Sequence, residues 1–325
     1  MEIRDMKQLI VISGKGGTGK TSLLASFAAQ AGKAVTADCD VDAADLHLLL
    51  APQIEHRTSF SGGKVAEIQP DLCNGCGTCE ELCRYDAVTK TSRGTAAKFE
   101  ISVGKKARER KHGAPHHGRH DLYAIDKIAC EGCGVCAYFC PREAITFDDE
   151  ENGEWYVSST RFGPMAHARL LPGAENSGKL VTVVRNEAKR IAEENGLDLI
   201  LIDGSPGIGC PVIASVSGVD LAVVVTEPTM SGLHDLDRVV ELTRLFDIET
   251  AVVVNKHDIN EDMTEKIEDF AKRQGIRMLG GIRYDEAVTK AQIEGATVVE
   301  FSDGPASKDV KRIWERAREL IAEEG

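Results

Sequence analysis

The chain has 325 residues, 42% of them hydrophobic, with ten cysteines and a formal net charge of −13. That length supports about two domains of roughly 100–200 residues each, while the acidic balance and the 5% aromatic content argue against nucleic-acid binding, which needs a basic face and stacking surfaces. The N-terminus has no signal-like apolar segment, and runs such as Leu221–Thr226 fall far short of the roughly 20 residues that span a bilayer, so the expectation is a cytoplasmic protein whose cysteines are reduced and mostly metal-binding.

Lys7–Ser13 (KQLIVIS) is an apolar run that predicts a buried parallel strand, leading into a glycine-rich loop. Helical spacing follows over Lys20–Gln30, then a strand over Lys33–Asp38 that ends in the acidic segment DCDVD. Turn residues at Ser61–Gly63 break the pattern, and a cysteine-rich region runs from Cys73 to about Phe147. The alternation then resumes: helix Val181–Asn195, strand Leu197–Asp203, strand Leu221–Thr226, helix Gly232–Leu245, strand Thr250–Asn255, helix Glu261–Gln274. Near the end Val310, Ile313, Trp314, Ala317, Leu320 and Ile321 share one helix face. Glu315, Glu319, Glu323 and Glu324 disfavour anionic lipid, so this helix is expected on the sheet rather than on a membrane. Strands alternating with helices predict an α/β fold with a mainly parallel sheet. The expected organisation is one α/β domain in two segments, 1–62 and 151–325, interrupted by a smaller inserted domain at 63–150.

Gly14-Lys15-Gly16-Gly17-Thr18-Gly19-Lys20-Thr21 fits G-x-x-x-x-G-K-[ST] between a strand and a helix. Glycines let backbone N–H groups crowd around phosphate oxygens, and the helix N-terminus adds its positive end. Lys20 is expected at the β- and γ-phosphates and Thr21 on Mg²⁺. Asn255-Lys256-His257-Asp258 follows a strand and looks like a base-reading N-K-x-D, which in GTPases selects guanine.

Cys73, Cys76, Cys79 and Cys83 form C-x₂-C-x₂-C-x₃-C, and Cys130, Cys133, Cys136 and Cys140 repeat it before Pro141. This is the signature of a bacterial-ferredoxin-like α+β module with two [4Fe–4S] clusters, in which the fourth cysteine serves the other cluster. One set is then Cys73, Cys76, Cys79 and Cys140; the other is Cys130, Cys133, Cys136 and Cys83. Zinc sites space their cysteine pairs more widely. Gly75, Gly77, Gly132 and Gly134 let backbone approach the sulfurs, and Arg84 stands where proline is usual. Between the motifs, residues 84–120 hold ten Lys/Arg against three acids, with His112, His116, His117 and His120. The readings there are a solvated loop, a docking segment for an acidic redox or metallocluster partner, or a histidine metal site.

The extra lysine of the loop, Lys15 in KGGTGKT, resembles the deviant motif of the MinD/ParA/Mrp and nitrogenase-iron-protein superfamily. Asp38-Cys39-Asp40 resembles its first switch, and Ile202-Asp203-Gly204-Ser205-Pro206-Gly207 its second. Phe162-Gly163-Pro164-Met165, Glu175–Val181, Thr226-Glu227-Pro228-Thr229 and Leu233–Leu236 extend the likeness to the group with an inserted two-cluster ferredoxin domain. The resemblance implies a slow, partner-stimulated ATPase that works as a nucleotide-sandwich dimer, homomeric or with a paralogue. It implies that Lys15 reaches the partner's nucleotide, that Asp40 positions the attacking water beside Lys20, that Asp38 and Asp203 join Thr21 around Mg²⁺, and that Asn255 and Lys256 lie at the base, with ATP favoured over GTP. Arg283 stands where the family has a proline near the base. Cys39 and Cys210 read either as small buried residues beside the switches or, for Cys210, as a metal bridge across a dimer axis. Three functions fit: ATP-coupled cluster assembly or transfer, ATP-coupled electron delivery, and a MinD-like positioning or regulatory switch with redox-sensing clusters. No nucleic-acid or membrane partner is expected.

Overall fold

A computed structural model describes residues 6–91, 122–171, 174 and 177–323. The chain divides into two compact units: one formed by the segments up to Phe60 and from Gly153 onward, the other chiefly by Ser61–Asn152.

The first unit opens with β1 (Lys7–Ser13), α1 (Lys20–Ala31), β2 (Val35–Asp38), α2 (Leu46–Leu50) and β3 (Gln53–Phe60). The second unit follows as β4 (Gly63–Ile68), α3 (Thr78–Leu82), β5 (Val88–Thr91), β6 (Leu122–Ile125), α4 (Val135–Tyr138) and β7 (Ile145–Glu150). The first unit then resumes with β8 (Gly153–Thr160), β9 (Gly163–Leu170), α5 (Ser177–Asn195), β10 (Leu199–Pro206), α6 (Cys210–Val216), β11 (Leu221–Thr226) and α7 (Met230–Leu245). It closes with β12 (Glu249–Asn255), α8 (Glu261–Gln274), β13 (Arg277–Ile282), α9 (Glu286–Ile293), α10 (Val298–Phe301) and α11 (Pro305–Glu323).

Nine strands of the first unit form one sheet in the order β13-β12-β11-β1-β10-β2-β9-β8-β3. From β13 to β9 every neighbour is parallel; β8 and β3 add antiparallel at one edge. Leu9, Ile10, Val11 and Ile12 of β1 are at most 1% exposed, as a strand covered on both faces requires. Phe27 of α1 meets Trp314 of α11 at 5.0 Å between ring centroids. The six apolar residues picked out near the C-terminus are all buried, within the core cluster that also holds Leu221 and Val223 of the sheet.

Several boundaries differ from the sequence-based expectation. β2 begins at Val35 rather than Lys33, because Gly32 sits at φ +75° and the Lys33 N–H turns back onto the Ala31 carbonyl. β10 runs past Asp203 to Pro206, which pairs with Ser13. α5 starts at Ser177 rather than Val181. The strands β3, β8 and β9 carry no continuous apolar run, and seven of the eight residues of β3 are exposed, so hydrophobic periodicity does not announce them.

In the second unit β4 pairs antiparallel with β7, and β5 with β6. Among the described residues, Ile68, Cys79 and Val88 form its core cluster, with partly buried neighbours that include Cys73, Cys83 and Cys136. The docking and histidine readings for 84–120 fall mostly on residues 92–120, which lie outside the described residues. Among the described residues no helix is long and apolar enough to cross a membrane.

Truncating the ring that joins α11 to α1 tests this core. Trp314→Ala should cost about 3–5 kcal/mol in urea denaturation, whereas Arg318→Ala, on the exposed face of the same helix, should change stability by about 0.5 kcal/mol or less.

Candidate functional site

The loop 14–19 joins β1 to α1 at the carboxyl end of the parallel strands, where open α/β sheets bind ligands. Gly17 and Gly19 take φ +78° and +96°, conformations that side chains with a Cβ resist. A Cβ on Gly14 would overlap Asp235 at the start of α7. The Ser13 hydroxyl donates to the Lys15 carbonyl at 2.7 Å, and Asn255 Nδ2 donates to the Thr18 carbonyl at 2.8 Å, so both ends of the loop are tied to the sheet.

Beside this loop the structure gathers Lys20, Asp38, Asp40 and Asp203. Asp38 and Asp203 are register partners on β2 and β10 and are both fully buried. Asp38 accepts from the backbone N–H groups of Asp40 and Leu46, at 3.2 and 3.3 Å. Burial, with Asp203 and Asp40 nearby, pushes its carboxyl well above the usual range. Asp40 Oδ2 lies 3.5 Å from Lys20 Nζ; burial raises its carboxyl while Lys20 pulls it back. Neither oxygen of Asp203 has a hydrogen-bond partner of ordinary geometry among the described residues. Burial pushes Asp203 up to about 6, offset only in part by Lys20 and the neighbouring Thr21 hydroxyl. The Cys39 N–H donates to the Asp203 carbonyl and the Ser205 hydroxyl to the Cys39 carbonyl, stitching the two acidic segments together.

Lys15 points elsewhere. Its Nζ is 3.3 Å from Glu227, which also pairs with Lys256 at 2.8 Å. Burial works against the Glu227 charge, but the two ammonium groups hold its carboxyl below the usual range. Glu227 is a site residue that sequence reasoning did not single out; its only signal was the T-E-P-T segment.

Asn255 and Lys256 line an open cleft with Gly17, Gly19, Arg283 and Tyr284. Arg283, in the place of the expected proline, makes a two-pronged pair with Asp309 at 2.7 and 2.8 Å and so ties the rim of the cleft to α11. The Tyr284 N–H donates to Asp258 Oδ1 at 2.8 Å. Cys39 is buried, but Cys210 is exposed at the start of α6, which removes the reading of Cys210 as a small buried residue.

In the second unit, Cys73, Cys76, Cys79 and Cys140 line one cavity, and Cys83, Cys130, Cys133 and Cys136 line another. Each set takes three thiols from one motif and the fourth from the other. Gly75, Gly77, Gly132 and Gly134 all have positive φ, and a Cβ on Gly132 would run into the Lys64 carbonyl. Burial pushes the Cys79 thiol up to about 11 and raises Cys136. Among the described residues, no three or more His, Cys, Asp or Glu side chains stand together in a metal-binding arrangement.

The family model for the CobQ/CobB/MinD/ParA nucleotide binding domain matches residues 9–298. The uncharacterized protein MJ0578 of Methanocaldococcus jannaschii is 30% identical over 317 residues, covering 97% of each chain. An iron-sulfur cluster carrier protein of Pyrococcus abyssi is 29% identical over 154 residues, covering 43% of this chain and 51% of its own length. Among solved structures, the septum site-determining protein MinD of Pyrococcus horikoshii, complexed with Mg-ADP, superposes with a TM-score of 0.55 at 15% identity, covering 98% of both chains.

The raised Asp203 gives a pH dependence. Its folded pKa of about 6 lies above the roughly 3.9 of a free aspartate, so its contribution is fully present below about pH 4 and is lost as pH rises through about 6. At pH 7 Asp203→Asn should therefore stabilise the nucleotide-free protein, by up to about 3 kcal/mol. The same variant should lose the rise in Tm that Mg²⁺ with nucleotide produces. Thermal melts with and without Mg²⁺-ATP, from pH 4 to pH 8, check both signs.

Proposed function

The chain belongs to the CobQ/CobB/MinD/ParA family of nucleotide-binding proteins, whose MinD and ParA members are ATPases, and from that premise we propose that it is an ATP-gated electron carrier. In this reading two chains close on ATP, two [4Fe–4S] clusters reside in the inserted unit, and hydrolysis accompanies electron delivery to a partner protein.

The observation that carries the redox half is the pair of four-cysteine cavities, each completed by the other motif's fourth cysteine. The residues present fit the group. Four thiols face each cavity, and the glycines beside them hold backbone in the positive-φ turns that let N–H groups come near sulfur. When bound, a cluster in each site supplies one-electron redox chemistry. Permanent sets of four ligands suit an electron carrier better than a donor of clusters, which must let go of its cargo.

For the nucleotide, Lys20 and the N–H groups of the loop bind the phosphates. Thr21 and the unpartnered oxygens of Asp203 suit the magnesium that accompanies ATP, with Asp38 behind them. Asp40 positions the attacking water. ATP is favoured over GTP because the MinD and ParA members of the family are ATPases. Lys15 leaves Glu227 to reach the partner's nucleotide. ATP drives closure only through the contacts it makes in the closed dimer and not in the open one. A second reading, cluster carriage, is favoured by the exposed Cys210 and by the name of the Pyrococcus abyssi relative.

The anaerobically reconstituted chain should bind about eight irons and show [4Fe–4S] EPR signals on reduction. It should hydrolyse ATP at a rate that differs between dithionite-reduced and oxidised protein, with all iron retained through turnover. Lys15→Ala should abolish the ATP-dependent dimer in sedimentation. Nucleotide-driven iron release that disappears in Cys210→Ala would favour carriage instead, and a chain that assembles no cluster would sink both readings.

A further inference from the structure

The two cysteine motifs are repeats, so each position around one cavity has a counterpart around the other. The ligands match, but of the motif positions that line both cavities three differ. Thr78, between Cys76 and Cys79, lines the first cavity; Val135, between Cys133 and Cys136, lines the second. The Thr78 hydroxyl lies 3.4 Å from Cys76 Sγ, whereas Val135 is nearly isosteric, has a methyl there, and is 37% exposed. Asn74 after Cys73 is neutral; its counterpart Glu131 is a carboxylate. Arg142, two residues after Cys140, brings a cation to the first cavity; its counterpart Tyr85 brings none to the second. Two backbone donors add to the first site, Gly75 N–H to Cys73 Sγ at 3.4 Å and Ala144 N–H to Cys140 Sγ at 3.3 Å.

These three differences in the linings act in one direction; Glu80 and Glu81 after Cys79 and Arg84 after Cys83 act in the other, but none of the three lines a cavity. Adding an electron to a cluster adds negative charge, which hydrogen-bond donors and cations stabilise and carboxylates oppose. We propose that the site of Cys73, Cys76, Cys79 and Cys140 has the higher reduction potential of the two, and that the Thr78 hydroxyl is the residue that widens the gap. The inference rests on the reading of both sites as cluster sites. Each site takes one electron from a low-potential one-electron donor. The first electron rests in the Thr78 site. The second enters the Val135 site, which is the stronger reductant and opens among the exposed apolar side chains Leu82, Tyr85 and Val135.

The test is an EPR-monitored redox titration of the holo full-length chain, with dithionite as reductant. Wild type should give two resolved midpoints. Thr78→Val should move only the upper midpoint downward, and Thr78→Ser, which keeps the hydroxyl, should leave it in place. Val135→Thr should move only the lower midpoint upward. Should Thr78→Val fail to assemble, Val135→Thr decides alone: an upward shift supports the proposal and an unmoved midpoint overturns it. A single shared midpoint in wild type, or a Thr78→Val protein with both midpoints unchanged, also overturns it while leaving the cluster reading intact. Absence of two clusters from the wild type would instead remove the reading beneath it.

Discussion

Three carboxylates, Asp38, Asp40 and Asp203, are buried around one ammonium, Lys20, at the carboxyl ends of adjacent parallel strands. An arrangement with that much uncompensated negative charge is costly without a cation. Much of the surrounding architecture holds it in place. β2 and β10 set Asp38 opposite Asp203, and backbone N–H groups from the start of α2 and from Asp40 satisfy Asp38. Asp203 is left with both oxygens unpartnered among the described residues. In the free chain protonation relieves part of this repulsion, as the raised carboxyls of Asp38, Asp40 and Asp203 show, so the cluster costs more as pH rises.

The sheet's centre was legible because its strands are continuous apolar runs. β1, β11 and β12 stand at or within one residue of their expected limits, since burial on both faces leaves no room for polar interruptions. The edge was not legible. β3 is polar and exposed along nearly its whole length, and β8 and β9 mix polar with apolar side chains, as in Ser158 and His167, which meet each other at 2.8 Å. Such strands are held by ladder hydrogen bonds and neighbours, which leave no period in the sequence. In the nucleotide site the motif residues were readable because phosphate binding constrains residue type and spacing together. Glu227, Tyr284 and the Arg283–Asp309 pair escaped because each acts through a contact distant in sequence.

The inserted unit shows the opposite balance. Among the described residues its core cluster is three side chains, and several of the residues around it are cysteines. Units with so little to bury usually need a covalent or metal staple to stand alone. Among the described residues its hydrogen-bonded strands form two separate pairs. An apolar pattern is therefore a poor guide to this part of the chain.

The point of insertion also bears on how such a chain could arise. Phe60 and Gly153, which bracket the smaller unit, are register partners on neighbouring antiparallel strands. The two ends of the insert thus leave and re-enter the sheet side by side, like the ends of an ordinary hairpin loop, whose closure entropy grows only slowly with length. A single recombination event at one surface turn could therefore add or remove the whole module without disturbing the order of the parallel strands.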